Sequence, residues 1–165
     1  MITYADLFTP KLFLITNRTI GGEAVLATEM LMRVFRIALD AVQKTQHFRL
    51  IGYVFLPEQV QLLLEPANGV VLNQLMAATQ QRFQVDYQQL IGMPGELLLW
   101  EKHYRTQRLR DVNDFATQLD QLHYAPVQHK LVDKPEAWPY SSYSHWLAQG
   151  LYPAGWGWTP PVHLK

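Results

Sequence analysis

Cysteine is absent from the 165 residues, which excludes a disulfide framework and thiolate metal sites and fits a reducing cytoplasm. Charge of one sign is lacking too. Fourteen basic and fourteen acidic side chains cancel, so no global field announces a polyanionic partner, and any basic surface must be local. No apolar run reaches the roughly 18 residues that a membrane span needs, and the N-terminus lacks the basic-then-apolar pattern of a secretion leader. Internal repeats, low-complexity stretches and dividing linkers are missing as well. The expectation is one cytoplasmic domain over 1–165 with no membrane partner, its core running from about 11 to 132 and an aromatic C-terminal tail over 133–165.

What is present supports compact folding: 48% hydrophobic and 12% aromatic residues suffice for a sizeable core. Lys11 to Thr19 reads as a first strand around Leu12, Phe13, Leu14 and Ile15. After the Gly21-Gly22 break, Thr28 is placed to N-cap a helix to about Lys44, striped by Met30, Leu31, Val34, Phe35, Ile37, Ala38, Ala41 and Val42. Phe48 to Leu56 and Gln59 to Leu64 read as two strands joined at Pro57-Glu58, and so short a connection implies an antiparallel pair. A second helix is expected from about Val71 to Leu90. Its outer face is rich in glutamine. Gly92-Met93-Pro94-Gly95 reads as a turn and Leu97 to Tyr104 as a fourth strand. Asp111 then caps a helix of about a dozen residues, with Val112, Phe115, Leu119 and Leu122 on one stripe. This order predicts an α+β fold, a mainly antiparallel sheet with helices packed mostly on one face.

Two features stand out against that scaffold. Gln59 and Gln61 lie two apart on a strand, so they share a face at roughly 7 Å spacing, opposite Val60 and Leu62. A buried, unpaired amide costs about 1–3 kcal/mol, so these two must find partners or face a wet cleft. The second feature is basic. Lys102, His103, Arg105, Arg108 and Arg110 gather within nine residues around Tyr104, the composition of a phosphate-neutralising, base-stacking surface or of an edge strand kept apart from other sheets by its charge. His123 and His129 straddle Pro126 without metal-ligand spacing and read as surface or satisfied core residues.

The segment Gly52-Tyr53-Val54-Phe55-Leu56-Pro57-Glu58-Gln59-Val60-Gln61-Leu62-Leu63-Leu64 resembles the metal-binding strand of the REP-associated tyrosine transposases, IS200-like members of the HUH superfamily, with glutamine at both histidine positions. Gln121-Leu122-His123-Tyr124-Ala125-Pro126-Val127 is similar to that family's nucleophile helix, with Gln121 where the tyrosine would stand, five residues before the proline. Trp138-Pro139-Tyr140-Ser141-Ser142 and Gly150-Leu151-Tyr152-Pro153-Ala154-Gly155-Trp156 resemble its tail.

The resemblance implies a ferredoxin-like HUH fold and a role in DNA transposition. It also implies that the catalytic positions Gln59, Gln61 and Gln121 are degenerate and that the divalent metal site is lost, leaving no cofactor. The leading expectation is a catalytically inactive, transposase-like protein that binds single-stranded or hairpin DNA through Lys102, Arg105, Arg108 and Arg110. The alternatives are a residual metal-dependent transposase or nuclease using amide ligands, and a protein-interaction module on the same scaffold. Tyr124, three residues from Gln121, is rotated by about 60° and raised some 4.5 Å on a helix, poorly placed to substitute as nucleophile. The oligomeric state stays open, a homodimer included.

Overall fold

The computed structural model describes residues 1–26, 28–92 and 99–164. In chain order the elements are α1 (Tyr4–Leu7), β1 (Phe13–Arg18), α2 (Glu29–Gln43), β2 (Phe48–Leu56), β3 (Gln59–Pro66), α3 (Leu72–Ile91), β4 (Arg105–Arg108), α4 (Val112–Gln128) and α5 (Tyr143–Ala148). The strands form one antiparallel sheet in the order β2-β3-β1-β4, so the α+β class and the ferredoxin-like order are as expected. No described helix is long and apolar enough to cross a membrane.

Local chemistry explains most boundaries. The Thr28 hydroxyl accepts from the Leu31 N–H at the start of α2, and the Asp111 carboxylate accepts from the Asp114 N–H at the start of α4, each satisfying a donor that the first helical turn leaves open. Gly92, at φ 68°, ends α3 in the left-handed conformation that glycine adopts without steric cost.

The helices divide between the two faces of the sheet. On one face α2 and α3 close a core with Ile15, Val60, Leu62 and Leu64, around the mutually packed rings of Phe35, Phe55, Phe83 and Trp100. On the other, α4 supplies Phe115, Leu119 and Leu122, which pack with Ile51, Val54, Leu63, Tyr143, Trp146 and Tyr152. Packing mostly on one face therefore describes α2 and α3, while α4 with α1 and α5 covers the second. A bulge in β2 between Leu50 and Gly52 adjusts the alternation of that strand. A Cβ at Gly52 would lie 2.7 Å from Leu119 Cδ1, so the glycine lets α4 approach the sheet.

Two expectations are corrected. The fourth strand lies at Arg105–Arg108 rather than Leu97 to Tyr104. Trp100 makes only an isolated bridge with Thr19, and Leu97 and Leu98, like residues 93–95 of the expected turn, fall outside the described residues. The last long helix runs on through Pro126 to Gln128 instead of stopping after a dozen residues.

The tail is part of the folded core. Residues 140–142 bond to the free edge of β2 through Phe55 N–H to Tyr140 O, Ser142 N–H to Tyr53 O and a bridge between Val54 and Ser141. Trp138 and Trp146 donate their indole N–H groups to Phe55 O and Ile51 O. One sheet edge is thus covered by the chain's own tail, and the other, β4, is four exposed residues carrying two arginines, both recognised ways to stop edge-to-edge association.

Candidate nucleic-acid interface

The three glutamines singled out in the sequence converge. Pairing of β1 with β3 sets Gln59 opposite Arg18 and Gln61 opposite Thr16, and pairing with β4 sets Thr16 opposite Arg105 and Leu14 opposite Gln107. Directly paired residues point to the same side of a sheet, so Gln61, Thr16 and Arg105 form one row across three strands. Gln118 and Gln121, one helical turn apart on α4, close the space from above. Together these side chains line a cavity of about 320 Å³.

The amides have the partners that burial demands. Gln59 is only 8% exposed; its Oε1 accepts from Gln61 Nε2 at 3.3 Å, and its own Nε2 reaches Glu58 Oε1 at 3.5 Å. Glu58 in turn lies 3.3 Å from His129 Nδ1. Gln61 is half-buried and Gln121 exposed, both opening on the cavity. The dilemma posed by two amides on a core strand is met both ways: they bond to each other, and their face opens on a polar cavity.

Charge sharpens the picture. Five of the eight arginines are paired with carboxylates: Arg33 with Glu29, Arg36 with Asp40, Arg49 with Glu65, Arg82 with Asp86 and Arg110 with Asp114. Arg108 donates to Pro10 O. Among the described residues, Arg18 and Arg105 are the arginines left without a hydrogen-bonding or ionic partner, and both line this cavity. Among the described residues, no acidic side chain and no imidazole lines it. A chain of zero net charge thus has a positive cleft.

The basic cluster read from sequence is not one surface. Strand alternation sends Arg105 into the cavity with Gln107 and sends Arg108 to the other side. Lys102 lines a separate groove with Gln80, Gln81, Gln84 and Trp100, and Arg110 is held by Asp114. Sequence reasoning missed Arg18 as a site residue: nothing local marks it near the end of β1, and its register against Gln59 is a long-range fact. Tyr124 is 9% exposed, edge-on to Trp156, and does not line the cavity. Tyr152, at 4% exposed, is core and has no face free for stacking a base.

Behind α4 lies a buried polar chain. Tyr4 and Tyr152 donate their hydroxyls to Asp120 Oδ1, and His163 Nε2 lies 2.9 Å from Oδ2. Since Tyr152 donates to Asp120, its oxygen is left to accept from His123 Nδ1 at 2.7 Å, so the neutral ring accepts from the Ser142 hydroxyl at Nε2, also 2.7 Å. Burial pushes the His123 pKa down to about 3 and holds the Asp120 carboxyl above its usual range. Both histidine nitrogens are committed, so His123 is a satisfied core residue.

The fold and cleft define an antiparallel α+β protein whose sheet carries an amide-lined, arginine-rimmed cavity under one helix. Known proteins resemble the chain in part of its sequence and in its fold. The chain is 34% identical over 67 residues to a Haemophilus influenzae protein named for the REP-associated tyrosine transposases, a match taking in 41% of this chain and 38% of that protein. It is 22% identical over 124 residues to the Escherichia coli REP-associated tyrosine transposase, 75% of this chain and 72% of the relative. Its fold matches a REP-associated tyrosine transposase solved bound to a REP hairpin, with a TM-score of 0.77 at 20% identity over 96% of this chain and 93% of that one. A Deinococcus radiodurans protein assigned as a transposase follows with a TM-score of 0.52 at 14% identity, over 65% and 85%. No family model matches. In sequence and in fold, the chain is similar to the REP-associated tyrosine transposases.

Proposed function

We propose that this chain is a member of the REP-associated tyrosine transposase family that binds single-stranded or hairpin DNA and no longer cleaves it. The observation that carries the reading is the convergence of Gln59, Gln61 and Gln121 on one cavity with the two unpartnered arginines, Arg18 and Arg105. Strand cleavage by a tyrosine transposase needs an ionisable hydroxyl to attack phosphorus, and Gln121 has none. It also needs a metal held against the phosphate. The donor set here does not fit one: the strand contributes two neutral amides, one of which already donates to the other, with no carboxylate or imidazole on the cavity wall among the described residues. Binding needs neither group. Guanidinium groups neutralise phosphates in any sequence, with release of counterions and a steep dependence on salt.

The test is a binding titration with a DNA hairpin and with a single strand at low and raised ionic strength, alongside a nicking assay with magnesium or manganese. Salt-sensitive binding without nicking or covalent protein–DNA adduct is expected. Loss of binding even at low salt would overturn the binding half, and metal-dependent nicking the inactive half. Restoring Gln59→His, Gln61→His and Gln121→Tyr together is expected to bring cleavage back if the remainder of the site is intact.

A further inference from the structure

Building on that reading, we propose that the cavity is a metal-independent pocket for one unpaired nucleotide, with Arg18 and Arg105 on its phosphate and the carboxamides of Gln61, Gln118 and Gln121 on its base. Its size, about 320 Å³, falls in the roughly 300–1,000 Å³ range of sites that enclose small organic groups. Its charge repels a cation and attracts an anion: among the described residues, the wall carries two guanidiniums without partners and no carboxylate. Its lining matches a base edge. A carboxamide offers one donor group beside one acceptor, the complement of the adjacent donor and acceptor that nucleobases present.

The amides are also arranged for use. Gln59, buried and holding the Gln61 amide nitrogen on its own oxygen, positions Gln61 so that its free Oε1 can accept from a ligand. Gln118 and Gln121 stand on the facing helix and can complete the edge from the other side. In a duplex those edges are already occupied, so the pocket selects an unpaired nucleotide, as at a hairpin loop or a single-stranded flank. Glutamines in this cleft are then a recognition surface in their own right.

Fluorescence anisotropy with the full chain tests this, using a single strand of roughly 12 nucleotides, the same strand with abasic sites, and a blunt hairpin, each in EDTA and in magnesium. We expect tight single-strand binding in EDTA that magnesium does not improve. Arg18→Gln and Arg105→Gln should each weaken it by roughly tenfold. The Gln61→Leu, Gln121→Leu pair should weaken the normal strand and leave the abasic strand unchanged, and Arg33→Gln, on an exposed α2 pair far from the cavity, should match wild type.

Binding that requires magnesium would overturn the proposal, and so would pocket variants that bind the single strand as wild type does while circular dichroism shows them folded. If those variants are silent but the protein still binds DNA with salt sensitivity, the pocket alone fails. If wild type binds no DNA at all, the family reading of binding fails with it.

Discussion

Along β3, neighbouring residues meet opposite surroundings. Val60, Leu62 and Leu64 enter a core closed by α2, α3 and four interlocked aromatic residues, whereas Gln59 and Gln61 enter a cleft that α4 roofs without filling. Beside them Leu63 joins the apolar core under the same helix, so the second face is sealed at one end and open at the other. A pleated strand with period two can serve both needs at once. One face holds the sheet in shape, and the held sheet fixes the spacing of polar groups on the other.

The contrast can be broken most severely from the filled side. Phe35, fully buried against Phe55, Phe83 and Trp100, should cost about 3–5 kcal/mol when changed to alanine. Chemical denaturation would measure the loss, and whatever fraction stays folded should keep the DNA affinity proposed for the cleft.

A smaller effect is expected beneath the sealed end of the second face. His123→Asn should destabilise by about 1–3 kcal/mol at neutral pH, because Tyr152 and Ser142 lose a buried partner. It should also change the pH profile. His123 has a folded pKa of about 3 against an ordinary 6.5, so between those values the unfolded chain binds the extra proton. Its contribution is complete above pH 6.5 and falls away as the pH drops towards 3, by about 1.4 kcal/mol per pH unit. Asp120, whose folded pKa is raised, acts in the opposite sense in both proteins. The difference between wild-type and variant denaturation curves across this pH range isolates the histidine, and parallel profiles would contradict its buried, neutral state.

Gly52→Ala probes the approach of α4 to the sheet. The new Cβ would meet Leu119 Cδ1 at 2.7 Å, and Leu119 is fully buried, so a loss of about 1–3 kcal/mol from overpacking is expected in thermal or chemical unfolding. The smallest effect sharpens the contrast. Gln121→Leu, on the exposed rim of the cleft, should move stability by no more than about 0.5 kcal/mol, since it breaks no bond within the protein. A large destabilisation there would show that the cleft is part of the core.

Strand and helix identities were legible where one physical signal dominated. The limits of β2 were read residue for residue, because an apolar run ended at Pro57-Glu58; Thr28 and Asp111 announced their helices through capping chemistry. The fourth strand was misplaced because the apolar residues at 97–100 resemble a strand more than Arg105–Arg108 do. That charged tetrapeptide is a strand only because Leu14 and Ile15 of β1 offer it a hydrogen-bonding edge. The chain of polar contacts from His163 to Ser142 carried no local signature, and α1 went unread although Thr3 and Asp6 form a capping box at its start.

The resemblance alone singled out Gln121; the amino-acid order by itself settled which side chains share a face of a strand, where helices begin, and that Gln59 and Gln61 set two amides side by side on a core strand. Those last are consequences of periods and caps a few residues long. Tertiary structure alone decided that these three glutamines meet, that Arg18 and Arg105 join them, and that Lys102, Arg108 and Arg110 turn elsewhere. Such convergence depends on strand register and on the seating of α4, which are set by packing across the whole sheet and by no local pattern.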